Sequence, residues 1–427
     1  MNVLMFTNTF APHVGGVARS VGLLAGALRD RGHRVLVVAP SFGGHAEDTP
    51  GVLRFPALHR VAGTEYSLPI PLGRVIRDEI DAFGPDIVHS HHPFLLGDTA
   101  LRIAAERGLP VVDTYHTRYD HYVRSFAGND ARLARLAWSL SAGYCNLCDA
   151  VIAPSASIAE VLGEHGVTAP VHVIPTGIDV GALALGDRAR GRAALGIDTD
   201  AFVVGHLGRL APEKNLEFLA EALVGFLAGS PQACAAIAGT GAAREAMLAR
   251  FSAAGFGSRL HLRGVLGAAE IADFLAALDV FAFASLSETQ GIVLAEAMAA
   301  GRPIVALDAA GTREAVLDGE TGFLLNSDAS AEAFAAALAA VQAMIPADRR
   351  EMENAAHRRA AAFSVDRMCD RVLDLYREVL AARRPRRDGI GRWTRAWLRV
   401  AEEGTLFRRL VVALAEAMLP APDDAQP

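Results

Sequence analysis

FVVGHLG, residues 202–208, runs without a break into RLAPEKN, residues 209–215. The first segment is apolar at odd and even positions alike, the pattern of a strand buried on both faces in a parallel sheet. The second carries Pro, Asn and charged residues and leads into a helical pattern, so together they read as strand, loop and helix start. Downstream the rhythm returns at ACAAIAG (233–239), LHLRG (260–264), VFAFAS (280–285), PIVALD (303–308) and GFLL (322–325). Upstream it is present at VLMFTN (3–8), RVLVVAP (34–40), DIVHSH (86–91), PVVDTYH (110–116), DAVIAPS (149–155) and VHVIPT (171–176), with 3.6-period stripes between.

Two such series make an α/β protein with two Rossmann-like parallel-sheet domains in tandem. The expected divisions are an N-terminal domain over 1–178, a strandless linker over 179–200 rich in Gly, Ala and Asp, and a second domain over 201–365. A helix over 366–382 is expected to return to the first domain, and a basic amphipathic tail occupies 383–427. The length of 427 residues, with 52% hydrophobic and 21% charged, suits two domains of this kind.

The chain has 41 basic and 48 acidic residues, a net charge of −7, so it offers no polycationic surface to a phosphate backbone, and nucleic acid is not an expected partner. Only one of the basic residues is a lysine, Lys214. Cys145, Cys148, Cys234 and Cys369 are too scattered for a disulfide framework, which points to a reducing, cytoplasmic setting. Cys145 and Cys148 form a CxxC with no second pair at zinc spacing, and they read as packing residues. The start, MNVLMFTNTF, lacks the basic n-region of a signal peptide, and Arg408 and Arg409 interrupt the most apolar part of the tail. Between 383 and 409 nine arginines face Asp388, Glu402 and Glu403, with Trp393, Trp397 and Val400 between them. That segment suits the surface of an anionic membrane, and packing on the body or on a second subunit is the equal alternative.

The loops after the strands carry the chemistry. Thr9-Phe10-Ala11-Pro12-His13-Val14-Gly15-Gly16 opens a helix with two glycines, where backbone can approach a phosphate at a helix N-terminus. Arg209 and Lys214 stand five residues apart in a strand-to-helix loop, one a bidentate fork and the other a point charge for the same diphosphate. Ala238-Gly239-Thr240-Gly241 is a further glycine-lined approach. In Ser287-Glu288-Thr289-Gln290-Gly291-Ile292-Val293-Leu294-Ala295-Glu296 a loop carboxylate precedes a helix whose first N–H groups, at Gly291, Ile292 and Val293, point outward. Glu296, among apolar neighbours, reads as a buried and paired acid.

The E-x7-E segment, the GRLAPEKN loop, the Gly-Gly loop and Pro175-Thr176-Gly177-Ile178-Asp179 together resemble the retaining glycosyltransferases of family four, over residues 1 to about 382. The resemblance implies the GT-B fold, two Rossmann-like domains facing across a cleft, with a nucleotide-sugar donor mainly on the second. It implies that Arg209 and Lys214 hold the diphosphate and stabilise the leaving group, and that Glu288 binds hydroxyls of the transferred sugar. Glu296 would take the ribose hydroxyls, and Gly15 and Gly16 would lie under the diphosphate from the first domain. Retention would follow from front-face attack, with domain closure excluding water. UDP-sugars are the favoured donors.

His89-Ser90-His91-His92-Pro93-Phe94-Leu95-Leu96-Gly97 and Asp113-Thr114-Tyr115-His116-Thr117-Arg118-Tyr119-Asp120-His121-Tyr122 look like the members that glycosylate diacylglycerol. By that likeness His116 is a catalytic residue on the acceptor side, with His91 and His92 nearby, and the acceptor is a membrane lipid. A metal at His91, His92, His116 and His121 is the lesser reading, because GT-B enzymes handle diphosphate with cations and helix ends; neither a metal nor another cofactor is expected. The sole literal DxD of the ordered part, Asp198-Thr199-Asp200, falls in the expected linker. The alternatives are a soluble sugar or metabolite acceptor, and a nucleotide-sugar 2-epimerase, which would need no acceptor at all.

Overall fold

Each series of strands closes into its own parallel sheet. The computed structural model describes every residue except Val14, 42–48, Pro56, 59–67, 70–75, 120–130 and 383–427. The basic tail, Asp120, His121 and Tyr122 therefore lie outside the described residues. Two compact units result among the described residues, one of Met1–Gly177 with residues 368–382, the other of Ile178–Arg367. Among the described residues no helix is long and apolar enough to cross a membrane.

The first unit contains β1 (Asn2–Phe6), β2 (Arg34–Pro40), β3 (Val52–Phe55), β4 (Ala57–Leu58), β5 (Leu68–Pro69), β6 (Ile87–Ser90), β7 (Val111–Thr114), β8 (Ala150–Ala153) and β9 (Val171–Val173). Its main sheet has the order β3-β2-β1-β6-β7-β8-β9, and β4 and β5 form a separate antiparallel pair. The second unit contains β10 (Phe202–Leu207), β11 (Ala233–Ala238), β12 (Leu260–Arg263), β13 (Val280–Phe283), β14 (Ile304–Leu307) and β15 (Gly322–Leu325), in the order β12-β11-β10-β13-β14-β15. Both sheets reverse direction after three strands, which is the doubly wound arrangement. All pairings within the two main sheets are parallel, with Val3 opposite Val35 and Ile87 in the first and Gly205 opposite Phe281 in the second.

Central strands are buried throughout, whereas β9, β12 and β15 are largely half-buried. Burial on both faces is the expectation for all of them; a strand at a sheet edge has a neighbouring strand on one side only. Three further strands, β3, β4 and β5, carry no long apolar run and are not evident from the pattern.

The stretch 179–200 is a correction. It is not a linker but two helices, Val180–Ala184 and Arg188–Leu195, built into the second unit. Two of its aspartates are N-caps, Asp179 accepting from the Ala182 N–H at 2.9 Å and Asp187 from that of Arg190 at 2.8 Å. Two of its glycines are packing residues, since a Cβ on Gly186 or Gly191 would fall 2.1 Å from the Ala272 or Asp273 carbonyl oxygen. Arg192, 2% exposed, donates to Asp279 at 2.8 Å, and Arg188 and Arg349 reach the same carboxylate at 2.6 and 2.8 Å. Asp279 also accepts the Val203 N–H at 2.7 Å, so the start of β10 is tied to these helices. Composition alone does not distinguish a Gly/Ala/Asp linker from capped helices in close contact.

The C-terminal helix Val365–Ala382 lies from Met368 onward in the first unit. Its Tyr376 hydroxyl is 2.6 Å from His89 Nδ1, and Arg31 Nε donates to Asp370 at 3.2 Å. Cys145 and Cys148 are buried in the first unit's core, where the Cys148 thiol donates to the Tyr144 carbonyl.

Candidate active site

In a doubly wound sheet the ligand crevice opens beyond the carboxyl ends of the strands at the point where their order reverses. In the second unit that point lies between β10 and β13, and the loops after these strands are the ones that carry Lys214 and Glu288. Pro212–Lys214 forms a single 3₁₀ turn ending at Asn215, which takes a left-handed conformation with φ of 54°. Asn215 Nδ2 donates to the Ala284 carbonyl at 3.2 Å, and the Ser287 hydroxyl donates to the Glu213 carbonyl at 3.1 Å. With the two loops laced in this way, Lys214 Nζ donates to Glu288 Oε1 at 2.5 Å. Burial by itself would raise the Glu288 carboxyl; the Lys214 charge and hydrogen bonds from Lys214 and Ser285 outweigh it and hold it below the usual carboxylate range. Glu288 is therefore ionised at neutral pH. The two side chains are 20% and 16% exposed, so a ligand can reach the pair.

Arg209 is placed differently from its partner in the motif. It is 53% exposed and donates to Glu213 of its own loop at 2.6 Å. The structure thus joins Lys214, and not Arg209, to the acid across the switch point.

Gly239 is accounted for within the fold. A Cβ there would fall 1.8 Å from the Gly208 carbonyl oxygen, and the Gly208 N–H donates to the Ala238 carbonyl, so this glycine lets the loops after β10 and β11 lie against each other. The helix after β13 runs Ile292–Ala299, with Gly291 as a left-handed N-cap at φ of 65° and no side-chain cap. Ile292 and Val293 are half-buried in its first turn, and Glu296, one turn on, is buried against the core of the unit.

In the first unit Gly15 caps the helix Gly16–Asp30 in extended backbone, and nothing lies within 4 Å of a Cβ placed on Gly16. Gly16 is not required for the unit's own packing, whereas a Cβ on Gly15 would stand 3.2 Å from His13 Nε2. The histidines gather at the ends of β6 and β7. His91 Nδ1 and His116 Nε2 are 3.0 Å apart, and the His89 and His91 rings lie tilted by 31° with centroids 4.1 Å apart. His89 is engaged at both nitrogens, by Tyr376 at 2.6 Å and Thr114 at 2.7 Å, and His92 Nδ1 accepts the Asn8 N–H at 3.1 Å. Among the described residues no group of three or more His, Cys, Asp or Glu is arranged to hold a metal ion. Burial first of all pushes His89 and His92 down to about 3 and His116 to about 4, so these rings are neutral at physiological pH.

Three residues of the second unit's site escape sequence reasoning: Ser285, Ser287 and His206. The serines are short loop residues with no motif, and their role appears only once β10 and β13 are neighbours. His206 is the single ionisable side chain in β10, a signal that was available in FVVGHLG.

The family model described as Glycosyltransferase Family 4 matches residues 14–181, and the one described as Glycosyl transferases group 1 matches residues 201–343. A GDP-mannose-dependent alpha-mannosyltransferase of Mycolicibacterium smegmatis is 32% identical over 389 residues, 90% of this chain and 99% of that protein. An alpha-monoglucosyldiacylglycerol synthase of Streptococcus pneumoniae is 28% identical over 320 residues, 72% of this chain and 71% of that one. Among solved structures, the sucrose-phosphate synthase of Thermosynechococcus elongatus matches with a TM-score of 0.75 at 22% identity, covering 90% of this chain and 100% of that chain.

Proposed function

The chain belongs to glycosyltransferase family 4 and is a hexosyltransferase of the GT-B fold, and from that premise we propose that it moves a hexose from a nucleoside-diphosphate sugar, with retention of configuration, to a hydroxyl of a membrane lipid. The observation that carries the donor reading is the Lys214–Glu288 pair at the β10/β13 switch point. As the sugar leaves with oxocarbenium character, negative charge builds on the departing diphosphate, and the Lys214 ammonium offsets it in a partly dry site. Arg209, once released from Glu213, adds a bidentate contact to the same group. The uncapped start of the Ile292–Ala299 helix presents N–H groups and a partial positive charge. Ionised Glu288 accepts hydrogen bonds from sugar hydroxyls, and Glu296 serves the ribose. This assignment meets the diphosphate charge with the chain's own cations and helix end, and it calls for no metal.

Two donors compete. A UDP-hexose, the donor favoured by the family resemblance, goes with a diacylglycerol-type acceptor, which is supported by the HHPFLLG and TYHTRYDHY stretches and by the pneumococcal relative, an alpha-monoglucosyldiacylglycerol synthase. GDP-mannose is supported by the mycobacterial relative, whose identity is higher and which aligns over nearly its whole length. A thermal-shift panel of UDP, GDP, UDP-glucose, UDP-galactose and GDP-mannose decides between them. Ligand at one hundred times its Kd should raise the midpoint by about 5–10 °C. If no nucleoside diphosphate or its sugar stabilises the protein, the donor-site reading is wrong. The best donor is then offered to diacylglycerol, a glycolipid and a sugar phosphate in turn, and turnover of the donor with no acceptor present would favour an epimerase instead.

A further inference from the structure

His206, in the middle of the second unit's sheet, is 1% exposed. Its Nδ1 lies 3.1 Å from the Ala282 carbonyl oxygen on β13. A carbonyl can only accept, so Nδ1 carries the proton and Nε2 of the neutral ring is a lone pair. That nitrogen is buried and has no hydrogen-bond partner among the described residues. A buried acceptor without a donor costs free energy, so its presence beside a ligand site calls for a partner that arrives in another state of the site.

The direction of Nε2 identifies the partner. A Cβ on Gly208 would stand 3.6 Å from it, so the nitrogen faces the beginning of the loop that carries Lys214. The ring also lies in the field of both members of the ion pair. Burial is the main reason the imidazole is held neutral, at about 4, while Lys214 pushes in the same direction and Glu288 and the Ala282 bond oppose it. On its other sides the ring meets Phe281 and Phe283, with centroids 6.1 and 6.2 Å away, which have nothing to donate.

We infer that His206 is a positioning residue for Lys214: its Nε2 is the uncharged acceptor that takes an N–H of the Lys214 ammonium when a diphosphate draws that ammonium off Glu288. The inference rests on the donor reading above. In the free protein the ammonium donates to Glu288. With a donor bound, Glu288 turns to sugar hydroxyls, and the ammonium needs a second partner that aims it without competing with the phosphate. Another carboxylate would hold it back and an imidazolium would repel it; a neutral lone pair does neither.

Because Lys214 is the only lysine in the sequence, protein prepared with isotope-labelled lysine gives one ε-ammonium signal to follow by NMR. Two variants separate the functions of the ring. In His206→Asn the amide can still donate to Ala282 but has nothing at the place of Nε2; in His206→Gln the amide oxygen reaches that place. His206→Phe fills the ring's volume beside Phe281 and Phe283 and replaces the Asn variant if that one melts early. Adding UDP or GDP should move and sharpen the wild-type signal. In His206→Asn the signal should stay broad, with kcat about tenfold lower and donor KM within about threefold, the size of one lost hydrogen bond in the transition state. His206→Gln should recover most of both. A nucleotide response and kcat that are the same in His206→Asn as in the wild type overturn the inference alone, as does a Gln variant no better than Asn when both fold. A wild-type signal that neither UDP nor GDP moves overturns the donor-site reading, and the inference with it.

Discussion

At the scale of residues, the site separates two cations that the motif treats alike. Lys214 is joined to an ionised Glu288 at the switch point, whereas Arg209 is half-exposed and engaged with Glu213 beside it. Lys214→Ala should therefore cut kcat/KM about 100- to 1000-fold, the usual cost of removing one charge-stabilising donor, with the fold retained and the melting temperature somewhat lowered because Glu288 is left without its cation. Arg209→Ala should cost less, about tenfold, because the guanidinium must first give up its own loop. Steady-state transfer at saturating acceptor measures both, and an Arg209 variant as impaired as the Lys214 variant would reverse the ranking. Lys214→Arg should not restore activity, since a planar guanidinium does not fit a contact made for a compact ammonium. Both residues of the pair were legible in the sequence as candidates for separate tasks. Their contact was not, because it spans 74 positions and is set by which strands are neighbours.

At the scale of elements, glycines that look alike in the sequence serve different ends. Gly239 is needed because a Cβ would meet the Gly208 carbonyl, so its place in a GxG motif is explained by loop packing. Gly16 stands at the first position of the Gly16–Asp30 helix, with open space where its Cβ would be. Gly16→Ala should leave the melting temperature unchanged or raise it, by up to about 1 kcal/mol in stability, since alanine is the better helix former. If a diphosphate approaches this backbone, the same variant should lose donor affinity at least tenfold, read by nucleotide titration; undiminished affinity would remove the Gly-Gly loop from the donor site. The alternation of strands and helices was legible because buried parallel strands are apolar on every face. The two helices of 180–195 were not, since small residues that pack helices closely and aspartates that cap them have the composition of a linker.

At the scale of the whole molecule, both sheets reverse direction at the same ordinal position, and in each unit titratable groups cluster beside that reversal. The order of the strands could not be read from the sequence, since every central strand is apolar; the nearness of His91 and His92 to His116 was an expectation of the two motifs, whereas their burial together with His89 was not. That burial has a consequence for stability. His89, His91, His92 and His116 in the first unit and His206 in the second are all held below the usual 6.5 by desolvation, His89 and His92 to about 3, His116 and His206 to about 4, and His91 well below 6.5. Between those values and 6.5 the unfolded chain binds protons that the folded chain refuses, so stability is lost as pH falls. Asp113 acts in the opposite sense. It is fully buried, neither carboxylate oxygen has a hydrogen-bond partner among the described residues, and the Ser90 hydroxyl donates to the His92 carbonyl at 2.9 Å. Burial raises its carboxyl to about 7, so its contribution is present below 3.8 and is lost as pH rises to 7. Five groups against one predict a melting temperature that drops from pH 7 to pH 5. Asp113→Asn isolates the opposing group: the two chains should melt alike at pH 4, and at pH 8 the variant should be the more stable by about 1–3 kcal/mol, because only the wild type then buries an unpaired carboxylate. Calorimetry of both chains at the two pH values is the measurement, and a stability difference that does not change with pH would show that Asp113 titrates as an ordinary carboxylate.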